Sequence, residues 1–377
     1  MLISTQSVNK LAEYIENRKE TFCSGLFLSA RWMVVSQLDH QGIQMIILPD
    51  RDSAEYCAAD LYNFIEGDRV YFLPDSGKNL ERSNYKSSLG VQRTSALGKI
   101  LEFEKGEQLI IVTYPAALEE PVPDKGKISG SLLRLSVGDE KDYDEIIRIL
   151  FNNGFERVDF VAEPGQFAVR GALIDIFSYS FNNPFRISFF GDEIESINVF
   201  DTNTQLSKEK IDHVDIYPDL SLSEESGETY IHDILPDDTL VWLDSSDMYR
   251  NSGFFSDLKK FRTVYMELPL SRQDEEVVIF NISPQPVFNK NFELLTEDIR
   301  KRIENGYRVR IYGEKQSQLE RLKSILSQNG GIIPEFVSGS NIHNGFIDNE
   351  NKVCCYSDHE IFDRFHRVNI RRTVEKS

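Results

Sequence analysis

Residues 165–177 read GQFAVRGALIDIF, and residues 184–200 read PFRISFFGDEIESINVF. Both stretches alternate apolar with polar or small side chains, which is the pattern of β-strands that have one face on a core. Turn residues such as Asn182 and Asn183 separate closely spaced strands, which favours antiparallel pairing. We predict a small α+β domain with a helix at 142–152. Its predicted strands are 158–161, 166–170, 173–176, 185–189 and 194–200.

Alternation sorts the strand at 185–189 and the residue after it onto two faces. One face carries three apolar side chains: Phe185, Ile187 and Phe189. Arg186 and Phe190 fall on the opposite face, and the same pattern turns Arg170 outward. Arginine and aromatic side chains dominate the energetics of protein interfaces, so these three are a candidate contact surface. The alternative is that Phe190 turns into the core at the strand's end, and alternation alone leaves both open.

Outside this region, short apolar runs alternate with helical patterns. The predicted strands are 22–26, 44–48, 70–73, 109–112 and 239–243, and the predicted helices are 30–38, 53–65 and one that ends near residue 103. Such alternation is typical of a parallel sheet with helices on its faces. A Pro- and Gly-containing stretch at 121–130 reads as a linker, and the chain from about 221 returns to the α/β rhythm as though it completes the first domain. A third, small α/β domain follows Pro286.

The charge and composition narrow the class of protein. The formal net charge is −19, which weighs against DNA binding over the whole surface because such binding needs Lys and Arg to neutralise phosphates. The residues after 361 are locally basic and are interpreted as a solvated linker, with a basic patch as the alternative. No long apolar run or signal peptide occurs, so we expect a cytoplasmic protein with no membrane contact.

The first strand-to-helix turn is where an α/β sheet would bind phosphate. The turn includes Gly25, Leu28, Ser29, Ala30 and Arg31. A working phosphate loop needs glycines that let the backbone wrap the phosphates, a Lys, and a Ser or Thr for magnesium. Leu28, Ala30 and Arg31 supply none of these, so the turn is interpreted as a degenerate phosphate loop.

Other chemistry is not indicated by the sequence. No hydrolase, kinase or metalloprotease motif is present, and we predict no catalytic residue. Cys354 and Cys355 are adjacent and lack a second pair, so we predict no metal site. The four cysteines are scattered, which fits a reducing compartment.

The motifs at 165–177 and 184–201 resemble the UvrA-binding domain of bacterial transcription-repair coupling factors (Mfd), a related form of which occurs in the repair protein UvrB. The resemblance extends more weakly over the whole chain. It implies a degenerate helicase-like, P-loop-derived parallel-sheet domain interrupted by a small α+β domain and followed by a small α/β domain. The implied ranges are 1–125 and 221–283 for the UvrB-like domain, 126–220 for the UvrA-binding domain, 284–365 for the small non-catalytic domain and 366–377 for a basic linker.

The resemblance also implies a partner and its contact residues. The family contacts UvrA through two arginines and one aromatic residue, and motif matching places these at Arg170, Arg186 and Phe190. These are the residues that alternation turns outward. UvrB would keep an intact phosphate loop, so the degenerate turn favours the coupling factor.

The implied function is recruitment of UvrA to a stalled RNA polymerase, without enzymatic activity or a cofactor in this chain. We expect the chain to be a fragment whose parent contacts RNA polymerase and DNA through missing C-terminal domains, one of them a translocase that uses ATP and Mg. Two alternatives stay open. The surface could be autoinhibitory, with an intramolecular partner, or the chain could be a UvrB-type helicase.

Overall fold

The computed structural model describes residues 5–77, 84–123, 126, 132–181, 183–221, 229–269, 272, 276–328 and 333–364. Two compact units are present. The first comprises the described residues within 5–70, 105–115 and 236–364, and the second comprises those within 71–104 and 116–235. The basic linker predicted at 366–377 lies outside the described residues. Within the described ranges, no helix is both long and apolar enough to cross a membrane.

The helices and strands take these bounds. The helices are α1 (Thr5–Asn17), α2 (Ala30–Gln37), α3 (Arg51–Phe64), α4 (Asn84–Glu102), α5 (Pro115–Leu118), α6 (Tyr143–Asn152), α7 (Ile231–Ile234), α8 (Gly253–Asp257), α9 (Phe292–Glu304), α10 (Gln316–Gln328) and α11 (Asp358–Ile361). The strands are β1 (Glu20–Ser24), β2 (Gly42–Ile47), β3 (Val70–Phe72), β4 (Gln108–Thr113), β5 (Leu133–Ser136), β6 (Glu156–Arg157), β7 (Gln166–Arg170), β8 (Leu173–Ile176), β9 (Phe185–Phe190), β10 (Glu193–Phe200), β11 (Ser207–Ile211), β12 (His213–Ile216), β13 (Leu240–Leu243), β14 (Arg262–Tyr265), β15 (Val277–Ile279), β16 (Ile282–Pro284), β17 (Arg308–Gly313), β18 (Glu335–Ser338), β19 (Phe346–Asp348) and β20 (Val353–Ser357).

The largest sheet has the strand order β15-β1-β14-β13-β2-β4-β3. The pairings described from β15 to β4 are all parallel. Strands β2 and β13 are buried along their whole length, as expected when helices cover both faces of a parallel sheet. The predicted mixed α/β fold with a parallel sheet is therefore confirmed. Its descent from a helicase stays a prediction, as do the predicted domain boundaries.

Strands β13 and β14 lie between β1 and β2 in this sheet. Residues 240–265 therefore supply central strands to a sheet that the first 47 residues begin. The strand predicted at 22–26 starts and ends two residues earlier than expected. It ends at Ser24 because Gly25 has a φ of +71°, which an extended strand does not allow.

Residues 133–216, here called the insertion, contain a six-stranded sheet in the order β11-β10-β9-β8-β7-β6. Asp142 begins α6 by accepting the backbone N–H groups of Asp144 and Glu145. The helix packs Ile146 and Leu150 into the core on one face of the sheet. The pairings from β7 to β11 are antiparallel, as predicted, whereas β6 joins β7 in parallel.

The strand predicted at 158–161 is wrong. Glu156 and Arg157 pair with β7, the Val158 N–H donates to the Phe167 carbonyl at 2.9 Å, and the chain then leaves the edge of the sheet and crosses its outer face. The physical reason is that Val161 is buried against Ala168 and Phe177, which lie on the face opposite the main core. The apolar side chains in this segment pack on the sheet instead of extending it.

The third sheet belongs to the small domain after residue 281 and has the order β16-β19-β20-β17-β18. Strand β17 pairs in parallel with both of its neighbours, whereas β19 pairs antiparallel with both of its own. Helices α9 and α10 bury Leu295, Ile299 and Leu322 in a core shared with β17 and β20. This sheet is mixed, and its core is separate from that of the insertion.

Candidate partner-binding surface

Strands β7 and β9 carry the predicted contact residues, which lie on one face of the insertion sheet. Phe185, Ile187 and Phe189 are buried on the other face. Phe190 is 79% exposed, so the alternative in which it turns into the core is wrong. The side chains of Arg170 and Arg186 are 38% and 20% exposed.

Both arginines converge on the carboxylate of Asp175. Asp175 lies directly opposite Arg186 in the strand register, and its side chain is only 1% exposed. Arg186 donates to it from Nε at 2.8 Å and from Nη2 at 2.9 Å. Arg170 donates to the same carboxylate from Nη2. Two positive charges therefore surround one buried negative charge, which leaves the cluster with one net positive charge.

The surroundings of the two guanidinium groups differ. Hydrogen bonding to Asp175 raises the pKa of Arg186, whose Nη1 also donates to the backbone oxygen of Gln205 at 3.3 Å. The guanidinium carbon of Arg186 lies 4.5 Å from the ring centre of the buried Phe200. The guanidinium carbon of Arg170 lies 5.0 Å from the ring centre of Phe160, which is 64% exposed. Arg186 is therefore enclosed, and Arg170 borders an open aromatic ring.

Sequence reasoning missed two members of this cluster. Alternation within 173–176 places Asp175 on the same face as Arg186, and that signal was available in the sequence. Phe160 lies within the segment predicted as a strand at 158–161, and the sequence does not indicate that this segment crosses the face of the sheet. Val161, Ala168 and Phe200 form a small apolar cluster on the outer face of the sheet, which is the face opposite the main core.

The turn predicted to be a degenerate phosphate loop is closed by the chain's own groups. A Cβ atom at Gly25 would overlap the backbone oxygen of Phe280. Leu28 has a φ of +58°, and Ala30 begins α2. The Arg31 guanidinium forms an ion pair with Asp244, and its Nε donates to the Leu28 carbonyl at 3.2 Å. The cation of this turn therefore faces an internal carboxylate.

The hydroxyl of Ser29 is also held inside the protein. Ser29 is buried, and its Oγ accepts the backbone N–H of Asn344 at 2.9 Å. Asp60 hydrogen-bonds to Ser29 and accepts the backbone N–H of His343 at 2.8 Å. Burial raises the pKa of Asp60 to about 7. The segment at 343–344 thus packs on the turn through two backbone N–H groups.

The cysteines lie apart from both features. Cys354 and Cys355 are buried, and burial raises the pKa of both thiols to about 12. A thiol binds metal as the thiolate, which such burial disfavours. Over the part of the chain that the structure describes, no three His, Cys, Asp or Glu side chains are grouped closely enough to hold a metal ion.

Comparison with known proteins shows what the region that carries this surface is similar to. A profile of the UvrB interaction domain matches residues 133–221, which include β5 to β12. The transcription-repair-coupling factor of Bacillus subtilis (strain 168) is 30% identical over 205 residues, which is 54% of this chain and 17% of that protein.

Two further relatives bear the same name. The transcription-repair-coupling factor of Mycobacterium tuberculosis (strain CDC 1551 / Oshkosh) is 33% identical over 191 residues, 49% of this chain and 15% of that protein. That of Staphylococcus aureus (strain NCTC 8325 / PS 47) is 31% identical over 199 residues, 52% of this chain and 17% of that protein. The predicted resemblance is therefore confirmed over about half the chain. The aligned part covers only about one sixth of these relatives' length.

Proposed function

We propose, from the premise that residues 133–221 are a UvrB interaction domain like that of transcription-repair-coupling factors, that this chain docks the repair protein UvrA. The contact surface would be centred on Arg170, Arg186 and Phe190. The consequence would be recruitment of nucleotide-excision repair to a stalled RNA polymerase.

One observation carries the proposal: the exposed ring of Phe190 and the two guanidinium groups occupy one face of the matched domain. Removal of an exposed aromatic ring from water by a partner stabilises the complex, by about 1.5–3 kcal/mol for full burial. Guanidinium groups add charge-assisted hydrogen bonds that fix orientation. Together these are the components of a compact interface hot spot.

The family resemblance implies further activities, which we attribute to other parts of a longer protein. We assign contacts with RNA polymerase and DNA, and translocation driven by ATP and Mg, to sequences outside this chain. The chain itself would be neither an enzyme nor a holder of a cofactor. The absent phosphate-loop Lys and the Arg31–Asp244 ion pair in the same turn support this assignment.

The test is a calorimetric titration of purified UvrA into this chain. We expect saturable binding by the wild type, and a loss of at least tenfold in affinity for the Arg186→Ala, Phe190→Ala double variant. Phe151→Ala is the matched control, because Phe151 is a 51% exposed aromatic residue of α6, on the helix-covered side of the same domain. Melting temperatures should be compared for all three proteins.

Each alternative has a distinct outcome. Equal affinity of the double variant and the wild type would place the UvrA contact elsewhere. Absence of binding by every protein would contradict the recruitment role and favour a surface that packs on another part of the same polypeptide. Saturable binding of a fluorescent ATP analogue would favour the UvrB-type helicase.

A further inference from the structure

Arg186 uses most of its donors inside the protein. Nε and Nη2 bind Asp175, and Nη1 binds the Gln205 backbone oxygen. Its guanidinium group also lies over the buried Phe200 ring. A partner that bonded to Arg186 through these donors would first have to break contacts that are already formed and shielded from water.

Arg170 is arranged differently. Among the described residues, its hydrogen bonding uses one hydrogen of Nη2, which binds Asp175. Nε, Nη1 and the other Nη2 hydrogen can therefore bind a partner. Its side chain is also about twice as exposed as that of Arg186. The Phe160 ring supports the guanidinium group from one side, and such cation–π contacts limit where the group points.

Phe160 and Phe190 both have exposed rings, and both belong to the face of the sheet that carries Arg170. Leu173 lies opposite Arg170 in the strand register, and Ser188 lies opposite Leu173. Phe190 follows Ser188 by two residues on β9, which is two strands away from the strand of Arg170. Two strand spacings correspond to about 10 Å. Phe160 contacts Arg170 from the loop before β7. A partner on this face would therefore meet two exposed aromatic rings and a cation.

We propose that Arg170 and Phe160 contact the partner directly and that Arg186 is a positioning residue that acts through Asp175. This division of roles rests on the proposed docking of UvrA and adds Phe160 to the contact residues. The group that Arg170 receives is a carboxylate, because the Nη2 hydrogen that does not bond to Asp175 runs parallel to an N–H of Nη1 or Nε, and the cluster has a net positive charge.

The positioning role follows from charge balance around Asp175. A buried carboxylate needs compensation, and Arg186 supplies two of its three hydrogen bonds from arginine. When Arg186 is removed, Arg170 becomes the principal counter-ion and is drawn inward over Asp175. Arg170 then has fewer donors for the partner, so the loss of Arg186 weakens binding only while Arg170 is present.

A double-mutant cycle on UvrA binding tests this division. Phe160→Ala and Arg170→Ala should each lower affinity about tenfold, with Phe151→Ala unchanged as the exposed aromatic control. Arg186→Ala should lower affinity in the wild type but by less than twofold in the Arg170→Ala background. If the losses of affinity in Arg170→Ala and Arg186→Ala multiply fully in the double variant, Arg186 contacts UvrA itself and the proposal is overturned.

A second variant guards against misfolding of Arg186→Ala. The Asp175→Asn, Arg186→Met pair removes both charges, so Arg170 is no longer drawn inward. It should recover most of the affinity that Arg186→Ala loses, at a melting temperature closer to that of the wild type. If the neutral pair binds as weakly as Arg186→Ala, the positioning role is wrong while UvrA docking stands. If the wild type does not bind UvrA, both proposals fail together.

Discussion

The carboxylate of Asp60 accepts the backbone N–H of His343 at 2.8 Å, although 283 positions separate the two residues in the chain. Asp60 is buried, and its second oxygen, Oδ2, has no hydrogen-bond partner among the described residues. An ionised carboxylate in such a place loses its hydration without full replacement. Burial therefore raises the pKa of Asp60 to about 7, despite the hydrogen bonds from Ser29 and His343 that lower it.

Stability should consequently fall as the pH rises from about 4 to about 7. The folded state keeps the Asp60 proton up to about pH 7, whereas an unfolded chain releases it near pH 4. The folded state binds the extra proton across this window, so the free energy of unfolding decreases there by at most about 1.4 kcal/mol per pH unit. Thermal unfolding at pH 5 and pH 8 measures the difference.

Asp60→Asn should reduce this pH dependence, because the amide does not titrate. Asp52→Asn on the exposed side of the same helix is the control and should keep the wild-type slope. Other carboxyl groups with raised pKa values, Glu267, Asp358 and Glu360, remain in both variants. Equal slopes in Asp60→Asn and wild type would mean that Asp60 stays ionised in the folded protein.

The Arg31–Asp244 ion pair should contribute to stability as a unit. Arg31→Ala leaves the nearly buried carboxylate of Asp244 without its cation, and we expect a loss of about 2–4 kcal/mol in the free energy of unfolding. The Arg31→Met, Asp244→Asn double variant should recover part of this loss because it leaves no unpaired charge. Chemical denaturation of the three proteins measures it. A double variant less stable than Arg31→Ala would contradict this account.

The sequence predicted the parallel sheet because buried strands such as β2 and β13 are continuous apolar runs with helical patterns between them. It did not predict the order of those strands, since the placement of β14 and β13 between β1 and β2 depends on pairings between residues 243 and 196 positions apart. The end of β1 was misplaced because apolar Leu26 follows the glycine that stops the strand.

On the candidate surface, period-two alternation predicted the outward side of Arg170 and Arg186, and it left open whether Phe190 is exposed or turns into the core. It could not predict how exposed each would be, because exposure depends on Asp175 and on the segment that crosses the sheet near Val161. The sequence did not identify Phe160, because a short apolar run is equally compatible with a strand and with a loop that packs on a sheet.

Gly165 should be among the least replaceable residues of the insertion. It has a φ of +84°, and an added Cβ would overlap the hydroxyl of Tyr179, which packs against the core. Gly165→Ala should lower the free energy of unfolding by about 2–4 kcal/mol. Gly154→Ala, at a φ of +81° with open space around it, should cost only about 1 kcal/mol. Thermal unfolding of the two variants compares them, and equal losses would show that backbone conformation alone matters.

Salt should separate the charged and aromatic parts of the proposed UvrA contact. Exposed guanidinium–carboxylate pairs weaken as salt rises from about 0.05 to about 0.5 M. The reason is that added salt shortens the Debye length and so screens the attraction between exposed charges. Burial of the Phe190 ring is not screened in this way. We therefore expect Phe190→Ala to bind more weakly than wild type with an unchanged salt dependence, and Arg170→Ala to bind more weakly with a flatter one. Titrations with UvrA at several salt concentrations give both slopes. A slope that Phe190→Ala flattens and Arg170→Ala preserves would mean that Arg170 does not meet a carboxylate of UvrA.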